Sequence, residues 1–109
     1  MSKEHTLVVD TVRRRTHAER GLPPAITRFD ALGRAARAVG DKHVAQQCID
    51  DCCRTDHLVC FEVGETTWLT LPEPDHLRRT TVWLAEKDGD YRDEIALLNT
   101  ILLKVSGDD

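Results

Sequence analysis

Aromatic side chains are scarce: Phe29, Phe61, Trp68, Trp83 and Tyr91 are the only five in 109 residues. A core of ordinary size must therefore be aliphatic, built from Leu, Val, Ile and Ala. Long apolar runs are missing too. No stretch approaches the roughly 18 apolar residues of a membrane-spanning helix, so no membrane partner is expected. The opening MSKEHTLVVDTVRRR lacks the apolar run and small-residue cleavage site of a secretory signal. The expectation is a cytoplasmic protein whose thiols stay reduced, so four cysteines do not imply two disulfides. Internal repeats and low-complexity segments are absent as well. What is present is one domain's length, residues 1–109, with enough apolar residues for a single core.

The net charge of −4 conceals an asymmetry. Residues 1–47 carry nine Lys/Arg against five Asp/Glu, and residues 48–109 carry six against fourteen. A basic half beside an acidic half points to an anionic partner for one face, or to nothing more than a solvated surface.

Breaks at Gly21-Leu22-Pro23-Pro24, Gly40-Asp41, Gly64-Glu65, Pro72-Glu73-Pro74 and Asp88-Gly89-Asp90 divide the chain. Residues 3–20 show a helical stripe of Leu7, Val8, Val12 and Thr16. Residues 27–57 hold two helices. The first starts at Thr27 as N-cap, sets Phe29, Leu32, Ala35, Ala36 and Val39 at helical intervals, and stops at Gly40. The second starts at Asp41. Residues 58–71, LVCFEVGETTWLTL, read as a hairpin with a two-residue Gly-Glu turn. Residues 72–105 hold two more helices. Leu77, Thr81, Leu84 and Ala85 line one side of the first. In the last, Tyr91, Ile95, Leu98, Leu102 and Val105 share a face that Leu97, Ile101 and Leu103 widen past half the circumference. A helix so apolar is buried on two sides, and in a small domain the second side suits another subunit.

Helix, helix, helix, hairpin, helix, helix is the layout of a winged helix-turn-helix with flanking helices, mainly α with a small two- or three-stranded wing sheet. ALGRAARAVGDKHVAQQCIDDCCRTDHLVCFEVGETTWLTL, Ala31 to Leu71, resembles the DNA-binding segment of small archaeal and bacterial winged-helix transcriptional regulators. It shares their rhythm of helix, Gly turn, helix, then leucine entering a strand. The resemblance covers about 40 residues in layout rather than signature. It implies double-stranded DNA as partner. The family's flanking helices often make a homodimer, here expected through Tyr91, Ile95, Leu98, Ile101, Leu102 and Val105.

All four cysteines lie within QQCIDDCCRTDHLVC, Gln46 to Cys60. At about 100° per residue, Val44, Cys48, Cys52, Ala45 and Ile49 form one apolar arc, with Cys53 at its edge. Free cysteine behaves as a small buried hydrophobe, so Cys48 and Cys52 read as core. Cys60 falls on the strand face opposite Val59, Phe61 and Val63. A zinc site would draw on Cys48, Cys52, Cys53, His57 and Cys60, but C-x3-C-C-x6-C lacks paired C-x2-C knuckles. A regulatory thiol pair is the other alternative. Nothing marks the oxyanion hole, orienting residue or cleft of a Cys–His hydrolase, so neither an enzyme nor a cofactor is expected.

The opposite side of the second helix in residues 27–57 carries Lys42, His43, Gln46, Gln47, Asp50 and Arg54. In a helix-turn-helix the N-terminal half of that helix enters the major groove. Gln there suits adenine and Lys suits guanine, which makes Lys42, His43, Gln46 and Gln47 the candidate base readers. Arg28, Arg34 and Arg37 are placed to hold phosphates, and Arg13, Arg14, Arg15 and Arg20 either extend that surface or solvate the first helix. Asp50-Asp51 and the acidic tip Gly64-Glu65-Thr66 oppose DNA. They leave open a winged-helix module that binds only protein.

Overall fold

Three polar side chains start the first three helices in the computed structural model, which describes residues 2–107. Ser2 caps α1 (Lys3–Arg15) by accepting from the His5 amide, and Thr27 caps α2 (Arg28–Val39) by accepting from the Asp30 amide. Asp41 caps α3 (Lys42–Arg54) by accepting from the His43 and Val44 amides. Each satisfies donors that a helix start leaves unpaired. Between α2 and α3 only Gly40 and Asp41 intervene. Gly40 takes φ +91° and donates its N–H to the Ala36 carbonyl, so the chain reverses in two residues.

Strand β1 (Ile26–Thr27) precedes α2; β2 (Val59–Val63) and β3 (Thr66–Thr70) follow α3. The order across the antiparallel sheet is β1-β3-β2, with Ile26 opposite Leu69 and Phe61 opposite Trp68. Gly64 takes φ +64° as the first of the two loop residues, as a II′ hairpin turn requires. Helices α4 (Pro74–Ala85) and α5 (Arg92–Val105) pack on one another.

The sheet divides two cores. On one side α1, α2 and α3 bring Val8, Val12, Ala31, Ala35, Ala45 and Ile49 against Ile26, Leu69 and Leu71. On the other, α4 and α5 bring Leu77, Leu84 and Leu98 against Val59 and Phe61. Each fully buried Leu or Ile contributes roughly 1.5–3 kcal/mol relative to an exposed one. Trp68 and Trp83 meet edge to face at 4.8 Å, and Lys87 Nζ lies 4.1 Å from the Trp83 ring centroid. Two buried threonine hydroxyls are satisfied by backbone carbonyls. Thr70 donates to the Pro24 carbonyl at 2.7 Å, and Thr80 donates to the His76 carbonyl at 2.6 Å.

Several sequence expectations shift. Phe29, expected on the inner stripe of α2, is 87% exposed, and Ala31 and Ala35 are buried instead. Small residues let α2 approach α1 and α3 closely, and the wide ring is left outside. On α4 the buried set is His76, Leu77, Thr80 and Leu84, not Thr81 and Ala85. Leu98, expected between subunits, is fully buried within its own chain. Tyr91, Ile95, Ile101 and Leu102 also pack, partly buried, against that internal core. The exposed large apolar residues of α5 are Leu97, Leu103 and Val105. Among the described residues no helix is long and apolar enough to cross a membrane.

Candidate nucleic-acid interface

Helix α3 has two chemically distinct sides. Ala45, Cys48, Ile49 and Cys52 are buried, which leaves Lys42, His43, Gln46 and Gln47 exposed along its first two turns. The Asp41 cap fixes where that exposed row begins. The four candidate base readers therefore lie together on one solvent-facing surface.

The carboxylates of α3 are matched by cations. Asp50 Oδ1 accepts from Arg28 Nη2 at 2.8 Å. Asp51 pairs with Arg54 and accepts from His5 Nε2 at 3.3 Å. The Arg54 guanidinium, and then His5, hold the Asp51 carboxyl below the usual carboxylate range. Asp50 and Asp51 thus carry their own counter-ions, and Arg28 is half-buried in one of those pairs rather than free.

The other arginines separate as well. Arg34 Nε donates to Asp30 Oδ1 at 3.1 Å. Arg13 pairs with Glu73 and lies 3.6 Å from Asp10. Arg34 and Arg37 open onto a cleft of about 290 Å³ shared with Thr11, Arg14, Arg15 and Arg20, and no residue of α3 lines it. The sequence spreads these arginines over α1, the short 3-10 turn Ala18–Arg20 and α2, so only tertiary packing brings them together. Arg34 and Arg37 at i, i+3 share a helix face, and of the two options for α1 the cleft fits the one in which Arg14, Arg15 and Arg20 extend that surface.

The cysteines divide by depth. Cys48 and Cys52 belong to the three-helix core, Cys53 is half-buried against it, and Cys60 lies on the exposed face of β2. Burial pushes the Cys52 thiol to about 11 and the Cys53 thiol to about 12. Burial raises the Cys60 thiol as well. His57 stands apart on the loop after α3, its Nδ1 hydrogen-bonded to Thr55 Oγ1 at 2.7 Å. Among the described residues, no three His, Cys, Asp or Glu side chains converge in a group that could hold a metal ion. The candidate ligands Cys48, Cys52, His57 and Cys60 are not brought together.

Glu65 at the hairpin tip is exposed, and Glu62 accepts from Thr67 Oγ1 across the strands at 2.9 Å. A second cleft, of about 280 Å³, runs between α5 and the α3–β2 junction, lined by Cys53, Cys60, Leu97, Ile101 and Val105 among others. No protein-family model, curated protein or solved structure matches the chain.

Proposed function

We propose that the chain is a winged helix-turn-helix domain that binds double-stranded DNA as a homodimer and acts as a sequence-specific transcriptional regulator in the cytoplasm. One observation carries the reading. The elements run α1-β1-α2-α3-β2-β3 with sheet order β1-β3-β2, and α2 joins α3 through a two-residue turn. That arrangement suits a helix-turn-helix backed by a β-hairpin wing. Helix α3 then stands where a recognition helix stands, with Lys42, His43, Gln46 and Gln47 on its open side. Gln46 and Gln47 suit adenine edges and Lys42 suits guanine. Phosphate contacts would supply most of the affinity and make it fall steeply with salt. Leu97, Leu103 and Val105 give α5 an exposed apolar edge for a two-fold partner, rather than the Leu98 side.

The test is fluorescence anisotropy with duplex from the chain's own upstream region against scrambled duplex, at two salt concentrations. Sequence-preferring, salt-sensitive binding is expected, and Gln46→Ala with Gln47→Ala should remove the preference while leaving oligomeric state unchanged. Equal binding to both duplexes by the unaltered protein would defeat the reading. Sedimentation of Leu103→Glu reads the dimer separately.

A second reading is a winged-helix module that binds protein. It is favoured by Arg28 being neutralised by Asp50, by Glu65 at the hairpin tip, and by Phe29 standing exposed at the start of α2. No duplex binding at low salt would select it.

A further inference from the structure

The cleft between the C-terminal half of α1, the Ala18–Arg20 turn and α2 is lined by Thr11, Arg14, Arg15, Arg20, Arg34 and Arg37. Five arginines line a space of about 290 Å³, and no acidic residue lines it. Of the five, Arg34 has an internal partner, Asp30, on its own helix. Among the described residues, Arg14, Arg15, Arg20 and Arg37 make no ion pair. Like charges held this close repel, and a chain of net charge −4 has ample acid to neutralise them if that were their only purpose.

A separate observation points the same way. Arg15 Nε is buried and has no hydrogen-bond acceptor. A buried donor left unpaired is costly, and where one persists beside an open cleft an absent acceptor is the natural explanation. The cleft offers donors almost exclusively. The one hydroxyl, on Thr11, gives its proton to the Leu7 carbonyl at 2.8 Å, which leaves the guanidiniums to do the recognition. Their complement is a ligand of acceptors only, with several negative charges close together.

We infer that this cleft binds a small-molecule di- or triphosphate. Two features favour it over the duplex backbone. A phosphodiester carries one charge, and successive phosphates are strung along a convex surface. Four unpaired guanidiniums around one concavity match a compact group bearing several charges instead. The planar forks of arginine also suit phosphate oxygens bidentately. The inference does not rest on the reading of α3. It transfers Arg34 and Arg37 from the duplex to this ligand.

Inorganic triphosphate, pyrophosphate, orthophosphate and citrate, titrated calorimetrically at constant ionic strength, provide the test. One site per chain is expected, with affinity falling from triphosphate to pyrophosphate to orthophosphate. The exposed pair Arg14→Gln with Arg37→Gln should weaken triphosphate by about tenfold or more while the thermal melt stays unchanged, since each charge-assisted bond is strong. Gln46→Ala with Gln47→Ala should leave triphosphate binding intact. The proposal is overturned by the absence of saturable binding, by citrate binding as tightly as triphosphate, or by the arginine variant binding as well as the unaltered protein. Loss of duplex affinity in that variant without any triphosphate site would instead assign the cleft to the DNA backbone and equally overturn it.

Discussion

Arg28 on α2 and Asp50 on α3 are bound to each other, Nη2 to Oδ1 at 2.8 Å. Taken singly, one residue favours phosphate and the other repels it; as a pair they cancel. The bond also spans the Gly40-Asp41 turn, so it ties the start of α2 to α3. Asp50→Asn should release Arg28 toward a duplex. If the α3 surface meets DNA, the plot of log affinity against log salt steepens by roughly 0.9 for the one added phosphate contact. Stability should change by about 1 kcal/mol or less, because Asp50 stays exposed and water screens the half-buried Arg28 from its side. Anisotropy across a salt series checks the slope, and an unchanged slope would mean that Arg28 never reaches a phosphate.

The thiols should report their depth. Cys60 is exposed, Cys53 half-buried, and Cys48 and Cys52 lie in the core. Burial raises every one of them above the ordinary thiol value, so little thiolate exists near neutrality. Titration with a chromogenic disulfide at pH 8 should give one slow-to-moderate reaction in the folded protein, from Cys60, and four after unfolding in urea. Cys60→Ser should remove the native-state signal. Fewer than four thiols in urea, restored to four by a chelator, would show a bound metal and overturn the core role of Cys48 and Cys52.

Local chemistry made much of the fold legible. Thr27 and Asp41 announced helix starts because a short polar side chain can accept from the amides that follow. Gly64-Glu65 announced the hairpin, and the arc of Ala45, Cys48, Ile49 and Cys52 announced the inner side of α3. Strand β1 was not legible, since two residues after a Pro-Pro pair carry no periodicity. The arginine cleft was legible only as one of two options, Arg14, Arg15 and Arg20 extending the surface of Arg34 and Arg37 or solvating α1, because its members meet only through tertiary packing. The row Lys42, His43, Gln46 and Gln47 was legible as a face, but the pairing of Arg28 with Asp50 22 residues away was not.

Phe29 shows how side-chain size misleads. A large aromatic at helical spacing reads as core, yet the ring is exposed and Ala35 is completely buried. Phe29→Ser should therefore leave stability within about 0.5 kcal/mol. Ala35→Leu should cost roughly 1–3 kcal/mol, because α2 has no room for the added methylenes. Urea midpoints of the two variants make the comparison; a larger loss for Phe29→Ser would restore the residue to a packed environment.

His76 gives the fold a pH dependence of definite sign. It is buried on α4, with Thr16 Oγ1 2.9 Å from Nε2. Thr16 spends its own proton on the Val12 carbonyl at 2.8 Å, so it accepts from Nε2–H. Nδ1 lies 3.4 Å from Glu73 Oε1 without forming a hydrogen bond. Burial pulls the His76 pKa below its ordinary value; Glu73 and Asp75 oppose the shift, and Arg79 and Arg13 add to it. Above pH about 6.5 both folded and unfolded chains hold this imidazole neutral, and its contribution to stability is fully present. As pH falls below that value the unfolded chain takes up the proton first, so stability declines until the lower folded pKa is passed. The urea midpoint should therefore drop between pH 7.5 and pH 5, before the carboxylates titrate. His76→Gln keeps an N–H for Thr16 but cannot titrate, so its midpoint should change less over the same interval. If the variant shows the same decline as the parent, the proton is taken up elsewhere and His76 is not its origin.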